Sequence, residues 1–122
     1  MRQMALDYVA SSRFGVLAPD ELEASSNIGS FDAAYAVLVI QHCENPKVEL
    51  RRVRDSLKPG GRFVLVNSTR RWLPTEQGWA NDRIDVQALA SRFFKREATF
   101  NPPGFYRPGA DELHYGVTFV RR

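Results

Sequence analysis

The residue best suited to acid–base chemistry in this sequence is a histidine that follows a long apolar run. His42 stands two residues after "AAYAVLVI" (33–40). An imidazole at the carboxyl end of a buried strand can act as a general base near neutral pH; the alternative is a structural histidine. Cys43 has no paired His and Asn pattern around it and is interpreted as a small core hydrophobe. His114 is interpreted as a hydrogen-bonding residue of an edge strand.

A second group of residues has the chemistry to bind a substrate. The group comprises Arg70, Arg71, Trp72 and Trp79. It follows a predicted strand at 62–67, so these side chains are expected on the surface, above the crevice beyond the end of that strand. Arginine and tryptophan side chains can hold an anionic or aromatic substrate. Alternatively, the tryptophans cover the core beneath a long loop. The sequence contains no metal-ligand constellation, no G-x-S-x-G motif and no phosphate-binding loop.

Composition and charge are those of an ordinary globular domain. The 122 residues carry 17 basic and 14 acidic side chains, a net charge of +3. No basic stretch alternates with aromatic residues, so no nucleic-acid partner is expected. No apolar run approaches the roughly 18 residues of a membrane span, and no signal-peptide core is recognisable at the amino terminus. The single cysteine excludes an intramolecular disulfide. We therefore expect a cytoplasmic protein with no membrane partner.

The first third of the chain predicts one helix and two strands. Apolar residues at helical spacing predict a helix over 1–9. The stretch "RFGVLA" (13–18) predicts a short strand. The run at 33–40 is nearly all apolar, which is typical of a central parallel strand that is buried on both faces.

The sequence of the next helix contains signals for both its start and its end. Asn45 can accept a hydrogen bond from the first turn, and Pro46 suits the first helical position. The helix is expected to end at Pro59 and Gly60, because proline cannot continue it and glycine tolerates a left-handed cap.

The remaining elements are a strand, a helix and a pair of strands. "RFVLVN" (62–67) predicts a buried strand, and 68–82 is expected to be a long irregular connection. Asp85 can cap a third helix. Period-two alternation at 95–101 and 115–122 predicts an antiparallel pair.

The order of these elements predicts an α/β fold. Strands at 34–41 and 62–67 are expected to be parallel neighbours, because a helix connects them. The closing antiparallel pair should lie next to the 62–67 strand, and helices should cover both faces of the sheet.

Two adjoining stretches resemble a known family. "FDAAYAVLVIQHCENP" followed by "LRRVRDSLKPGGRFVLVN" is similar to the second half of a class I, type 11-like, S-adenosylmethionine-dependent methyltransferase. In that family Phe-Asp opens the fourth strand, a pair such as "QH" closes it, and "LKPGG" precedes the fifth strand. The resemblance implies one partial domain, 1–122, with a truncated Rossmann-like fold. That fold is a mostly parallel sheet with a C-terminal antiparallel strand pair.

The resemblance also implies a cofactor, S-adenosylmethionine, and residues that would face it. Asp20 lies eleven residues before Phe31, where the family often has the aspartate that faces the adenine. Ala36 and Val37 would form the floor of the adenine pocket. The alternatives are that Asp20 caps a turn and that the other two are ordinary core residues.

The sequence departs from the family at the glycine-rich loop. That loop follows the family's first strand, and an acidic residue at the end of the second strand binds the ribose; neither is found in these residues. Two or three charge-assisted hydrogen bonds are worth about 4–6 kcal/mol together, which is about three to four decades in affinity. The chain alone is therefore expected to bind the cofactor only in the millimolar range.

Three functions are compatible with this pattern. The first is a methyltransferase that a second polypeptide or a swapped neighbour completes. The second is a non-catalytic dimerising or partner-binding module, and the third is a nucleic-acid-associated protein on the same scaffold. Because the family's fourth strand normally pairs with the first, the edge of 34–41 would lack a partner. We therefore expect a homodimer whose contacts come mainly from residues 1–40.

Overall fold

A parallel strand pair joined by a helix begins the larger sheet of the structure, a computed structural model that describes Glu21 and residues 29–102 and 114–122. β1 (Phe31–Val37) pairs in parallel with β2 (Leu57–Ser68), with Ala34 opposite Phe63 and Val37 opposite Val66. The predicted parallel pairing is confirmed. The helix predicted over 1–9, the strand predicted at 13–18 and Asp20 lie outside the described residues.

Helix α1 (Pro46–Ser56) connects these two strands. The Asn45 side chain accepts a hydrogen bond from the Val48 amide at 3.4 Å, and Pro46 occupies the first turn, as predicted. The helix ends at Ser56, whose hydroxyl donates to the Val53 carbonyl at 2.7 Å. The predicted end at 59–60 is wrong, because Leu57 already pairs with β1.

The Pro-Gly-Gly corner lies inside the start of β2. The register shifts there, so that Leu57 lies opposite Phe31 but Arg62 lies opposite Ala33. Gly60 has φ +79°, a conformation that favours glycine, and a Cβ on Gly61 would lie 2.8 Å from the Lys58 carbonyl oxygen. The corner therefore needs both glycines.

Two antiparallel strands complete the larger sheet. β5 (Phe94–Phe100) pairs with β6 (His114–Arg121), and β6 pairs with β2, in the order β1-β2-β6-β5. This arrangement was predicted and is confirmed.

The connection from β2 to β5 contains regular structure. β3 (Leu73–Thr75) and β4 (Gly78–Ala80) form a short antiparallel hairpin. The prediction of an irregular connection over 68–82 is therefore wrong. Helix α2 (Val86–Ala90) follows, and the Asp85 side chain accepts from the Ala88 amide at 3.0 Å. The predicted cap is confirmed.

The core lies on one face of the sheet. Phe63, Phe94 and Phe119 are fully buried there, with ring centroids 5.2–6.2 Å apart. Both described helices pack on this face, through Leu50 of α1 and Val86 of α2. None of the helices in the described part of the chain is long and apolar enough to cross a membrane.

The other face of β1 is open. Phe31, Tyr35 and Val37 are 41%, 81% and 42% exposed. The prediction that this strand is buried on both faces is wrong, because α1 and α2 both cover the opposite side of the sheet.

Candidate functional site

The chain turns sharply where β1 ends. Leu38 has φ +57°, in the left-handed region, and its amide donates to the Val66 carbonyl at 2.8 Å. A single turn of 3-10 helix, Ile40–His42, follows. The strand therefore stops at Val37 and not at residue 41 as predicted. The turn carries residues 40–43 across the carboxyl end of β2.

Gln41 is the hub of this end of the sheet. It is 6% exposed, and three of its groups bind residues that are distant in sequence. Its backbone amide donates to Asn67 Oδ1 at 3.0 Å, and its side-chain Oε1 accepts from the Ser68 backbone amide at 2.5 Å. Its backbone carbonyl accepts from the Trp72 backbone amide at 3.3 Å. Sequence reasoning missed Gln41 as a site residue, although it is the glutamine of the "QH" pair.

Asn67 extends this polar network to β6. It is fully buried, and its Nδ2 donates to the Tyr115 hydroxyl at 3.3 Å. Burial raises the pKa of Tyr115 above its usual value, with Asp85 adding to the rise and the Asn67 hydrogen bond opposing it. Tyr115 therefore keeps its proton at neutral pH.

Arg71 is a buried anchor. The side chain is 1% exposed, so the prediction that it lies on the surface is wrong. Its Nε and one terminal nitrogen bind the two carboxylate oxygens of Asp82 at 2.7 and 2.9 Å. Its terminal nitrogens also donate to the carbonyls of Ile40 and Cys43 at 3.2 and 2.7 Å. Four of its five N–H groups are thus used within the chain.

The Arg71 fork also acts on the charge of its partner. Its hydrogen bond holds the pKa of the Asp82 carboxyl below the usual value, while partial desolvation opposes this. The pair ties the loop after β2 to the segment before α2 and to the 3-10 turn. Arg70, the neighbouring predicted residue, is exposed.

His42 lies beside the two tryptophans. Its Nδ1 is 3.0 Å from the Trp72 carbonyl oxygen and its Nε2 is 3.3 Å from Gln41 Nε2. These contacts fit together when Nδ1 carries the proton, a tautomer assigned from the partners. The ring meets Trp79 edge-on with centroids 6.4 Å apart. Gln41 thereby occupies the nitrogen that a general base would use.

The tryptophans do not cover the core. Trp72 and Trp79 are 41% and 65% exposed. With His42 they line an open depression of about 290 Å³. Their exposure fits the surface position expected for a substrate-binding group and not the alternative in which they cover the core; their role in substrate binding stays a prediction.

A larger depression is lined in part by Arg71. Its volume is about 450 Å³, and its wall includes Ser68, Arg83, Val86 and Tyr115. A second depression of about 430 Å³ shares Tyr115 as a wall and reaches Phe100. Both lie at the carboxyl end of β2, where open α/β sheets bind ligands.

The remaining predicted residues are more dispersed. Ala36 packs against the core cluster, whereas the adjacent Val37 is exposed on the opposite face, as strand alternation requires. Burial raises the pKa of the Cys43 thiol, with Glu49 adding to the rise and Arg71 opposing it. Its Sγ is 3.5 Å from the Val39 carbonyl. Within the described residues, no group of three or more His, Cys, Asp and Glu side chains could hold a metal ion.

The fold is similar to that of class I methyltransferases. The sequence model of the methyltransferase domain family matches residues 7–65, slightly less than half of the chain. Solved structures of S-adenosylmethionine-dependent methyltransferases share the fold. The predicted resemblance, and with it the partial Rossmann-like methyltransferase fold, is therefore confirmed.

Three solved structures show the extent of the likeness. The PH0226 protein from Pyrococcus horikoshii OT3 has a TM-score of 0.67 at 16% identity, covering 98% of this chain and 65% of that chain. The N-methyltransferase NodS from Bradyrhizobium japonicum WM9, in complex with S-adenosylhomocysteine, has a TM-score of 0.65 at 17% identity, with 98% and 60% covered. An S-adenosylmethionine-dependent methyltransferase from Mesorhizobium loti has a TM-score of 0.59 at 22% identity, with 97% and 75% covered.

The matches cover nearly all of this chain but only part of each neighbour. The chain spans 48–65% of the length of the first three solved structures that it matches. A comparison with curated proteins found no match.

Proposed function

We propose that this chain supplies the second half of an S-adenosylmethionine-dependent methyltransferase. The strand order β1-β2-β6-β5 carries the proposal. It corresponds to the fourth, fifth, seventh and sixth strands of the family's sheet, in the same sequence of parallel and antiparallel neighbours. The combination of this strand order with the "LKPGG" corner and the "QH" strand end is not expected in an unrelated α/β protein.

The half that binds the methionine end of the cofactor would come from other residues. The 122 residues contain no G-x-G sequence, and β1 is the outermost strand of the sheet within the described residues. In the family the first strand pairs with the fourth. A glycine-rich strand–loop–helix unit would therefore add to the edge of β1, and its helix would cover Phe31 and Tyr35.

The residues present suit one part of the cofactor. Val37 and Val39 are 42% and 54% exposed at the carboxyl end of β1, and this apolar surface fits an adenine ring. Asp20, outside the described residues, is the proposed partner of the adenine amino group. The bound cofactor supplies an activated methyl group. The chain's own contribution is then to hold the methyl acceptor in place.

Gln41 and Arg71 would provide the rigid base for that positioning. Gln41 fixes the 3-10 turn to the end of β2, and Arg71 fixes both to the loop that carries Trp72. His42 is assigned a positioning role, because both its ring nitrogens have partners within the chain. The single cysteine suits a reducing compartment, and we include a cytoplasmic location in the proposal.

Complementation tests this function. The chain is mixed with a separate polypeptide that carries a glycine-rich strand–loop–helix unit, and S-adenosylhomocysteine binding is followed by calorimetry. We expect micromolar binding of the mixture. Asp20→Ala should weaken that binding, whereas Arg70→Ala, at an exposed position, should leave it unchanged. Equal effects of the two substitutions would contradict the assigned cofactor side.

A second function is supported by the same strand. The exposed apolar side chains on the open face of β1 suit a non-catalytic module that associates with another copy of the chain. Sedimentation at low micromolar concentration separates the two functions. A homodimer that persists when the glycine-rich polypeptide is added favours the dimerising module, whereas a one-to-one complex favours the methyltransferase.

A further inference from the structure

The hydroxyl of Tyr115 has a defined direction. Asn67 Oδ1 already accepts a hydrogen bond from the Gln41 amide, so the Asn67 amide group can present only its Nδ2 donor to Tyr115. The Tyr115 oxygen must therefore accept, and its own proton points away from Asn67. Among the described residues, no acceptor takes this proton.

This donor stands at the wall between the two depressions that open at the end of β2. Tyr115 lines both, together with Thr69 and Gln87. Ile84 and Val86 add an apolar side to the larger one. A volume of about 450 Å³ lies within the range of small-molecule sites, which combine an apolar wall with a few fixed polar groups.

A positively charged side chain, that of Arg83, lines the same depression. Arg83 is exposed and lines it, and within the described residues its guanidinium has no ion-pair partner. The residue is held in the left-handed region at φ +61°. Its amide donates to Asn81 Oδ1 at 2.8 Å, and the Ile84 amide donates to Asp82 Oδ1 at 3.0 Å. The backbone here is thus fixed at a conformation that is uncommon for arginine.

Two other charged side chains, Arg71 and Asp85, line the depression. Arg71 is paired with Asp82, and Asp85 Oδ1 accepts the Ala88 amide of α2, although the Asp85 carboxylate keeps its charge. The Tyr115 hydroxyl and the Arg83 guanidinium are the two donors that an anionic ligand would use.

We propose that this depression binds the carboxylate of a small molecule whose apolar part lies against Ile84 and Val86. Tyr115 donates one hydrogen bond to the carboxylate and Arg83 supplies the charge. The assignment of that molecule as the methyl acceptor rests on the proposed function, whereas carboxylate binding itself does not.

The test uses benzoate as the probe, with benzylamine as its cationic counterpart. Amide shifts of Ser68, Thr69, Gln87 and Tyr115 are followed by NMR during titration of the 122-residue chain, without cofactor. We expect saturable shifts with benzoate and none with benzylamine. Absence of benzoate shifts, or stronger binding of benzylamine, would overturn the site.

Matched variants test the two donors. Tyr115→Phe should weaken benzoate binding about tenfold, since a hydrogen bond to a charged group is lost. Tyr35→Phe, on the opposite face of the sheet, is the control and should have no effect. Arg83→Gln should weaken binding by a similar factor. Arg51→Gln, at an exposed position of α1, is the control and should leave binding unchanged. Unchanged binding by Tyr115→Phe would overturn the proposal, whether or not methyl transfer is ever detected.

Asn67→Asp tests the direction of the hydroxyl. The new carboxylate can still accept from Gln41, but it also accepts the Tyr115 proton and turns it away from the ligand. We expect binding as weak as in Tyr115→Phe. Wild-type affinity in this variant would refute the proposed orientation.

Discussion

The carboxyl end of the β1–β2 pair and the open face of β1 differ in which kind of side chain is buried and which is exposed. At the first, polar side chains are buried: Gln41, Asn67 and Arg71 are 6%, 0% and 1% exposed. At the second, apolar side chains are exposed, with Tyr35 at 81% and Val37 at 42%. Both reverse the usual distribution of residues between the core and the surface.

The difference between the two regions lies in their partners. Each buried polar residue at the strand end has hydrogen bonds that replace water, so its burial is self-sufficient. The exposed apolar residues of β1 have no such cover from α1 or α2. The strand end is thus satisfied by its own hydrogen bonds and is called the finished end below, whereas the open face is the region where we propose that another polypeptide adds stability.

Removing Arg71 should have the largest effect on the finished end. Arg71→Met removes the ion-pair partner of Asp82 and the guanidinium donor to the carbonyls of Ile40 and Cys43. Loss of one partner of a buried ion pair costs about 3–5 kcal/mol; the Asp82 side chain is 30% exposed, so we expect about 3 kcal/mol. Urea denaturation measures it. Arg70→Met is the control and should change the free energy of unfolding by less than about 0.5 kcal/mol.

Removing the Asn67 amide should have the next largest effect. Asn67→Leu leaves the buried Gln41 amide without an acceptor, which costs about 1–3 kcal/mol. Urea denaturation should also show that the loss in the Asn67→Leu, Tyr115→Phe double variant is smaller than the sum of the single losses, since the two residues share a hydrogen bond. Strict additivity would show that the network is not coupled.

Acid should weaken the finished end in a defined pH range. Arg71 lowers the pKa of the Asp82 carboxyl in the folded state. The stabilisation is therefore fully present above the unfolded-state pKa of about 3.9 and is lost as the pH falls through the lower folded-state pKa. Stability measured between neutral pH and pH 3 should fall less steeply in both Asp82→Asn and Arg71→Met. A wild-type slope in either variant would contradict this origin.

A charge on the open face should have the smallest effect on the chain's own stability. Tyr35→Lys replaces a side chain that is already in water, so the free energy of unfolding should change by less than about 0.5 kcal/mol. Association through β1, with a second copy or with the glycine-rich polypeptide, should nevertheless be lost in sedimentation experiments. Trp79→Ala, on the exposed hairpin, is the control. A large loss of monomer stability with Tyr35→Lys would mean that this face is already covered.

The sequence predicts the parts of the fold that depend on local signals. The Asn45 and Asp85 caps, the parallel pair and the closing antiparallel pair all rest on neighbouring residues or on strand periodicity. The burial of Arg71 does not, because its carbonyl partners at Ile40 and Cys43 lie 31 and 28 residues away. Nor does sequence periodicity distinguish a strand buried on two faces from one whose second face is open, as β1 shows.

The candidate site divides in the same way. Trp72 and Trp79 can be selected from the sequence, because both follow a predicted strand in a long connection. Gln41, Asn67 and Tyr115 come from three separate segments and meet only when β2 pairs with both β1 and β6. Their hydrogen-bonding roles depend on that register, with Asn67 opposite Tyr115.

Calorimetry with S-adenosylhomocysteine on the chain alone shows whether these residues form only the second half of a cofactor site. Without a glycine-rich loop we predict a dissociation constant in the millimolar range, from the loss of two or three charge-assisted hydrogen bonds worth about 4–6 kcal/mol together. A micromolar dissociation constant with one site per chain would contradict it.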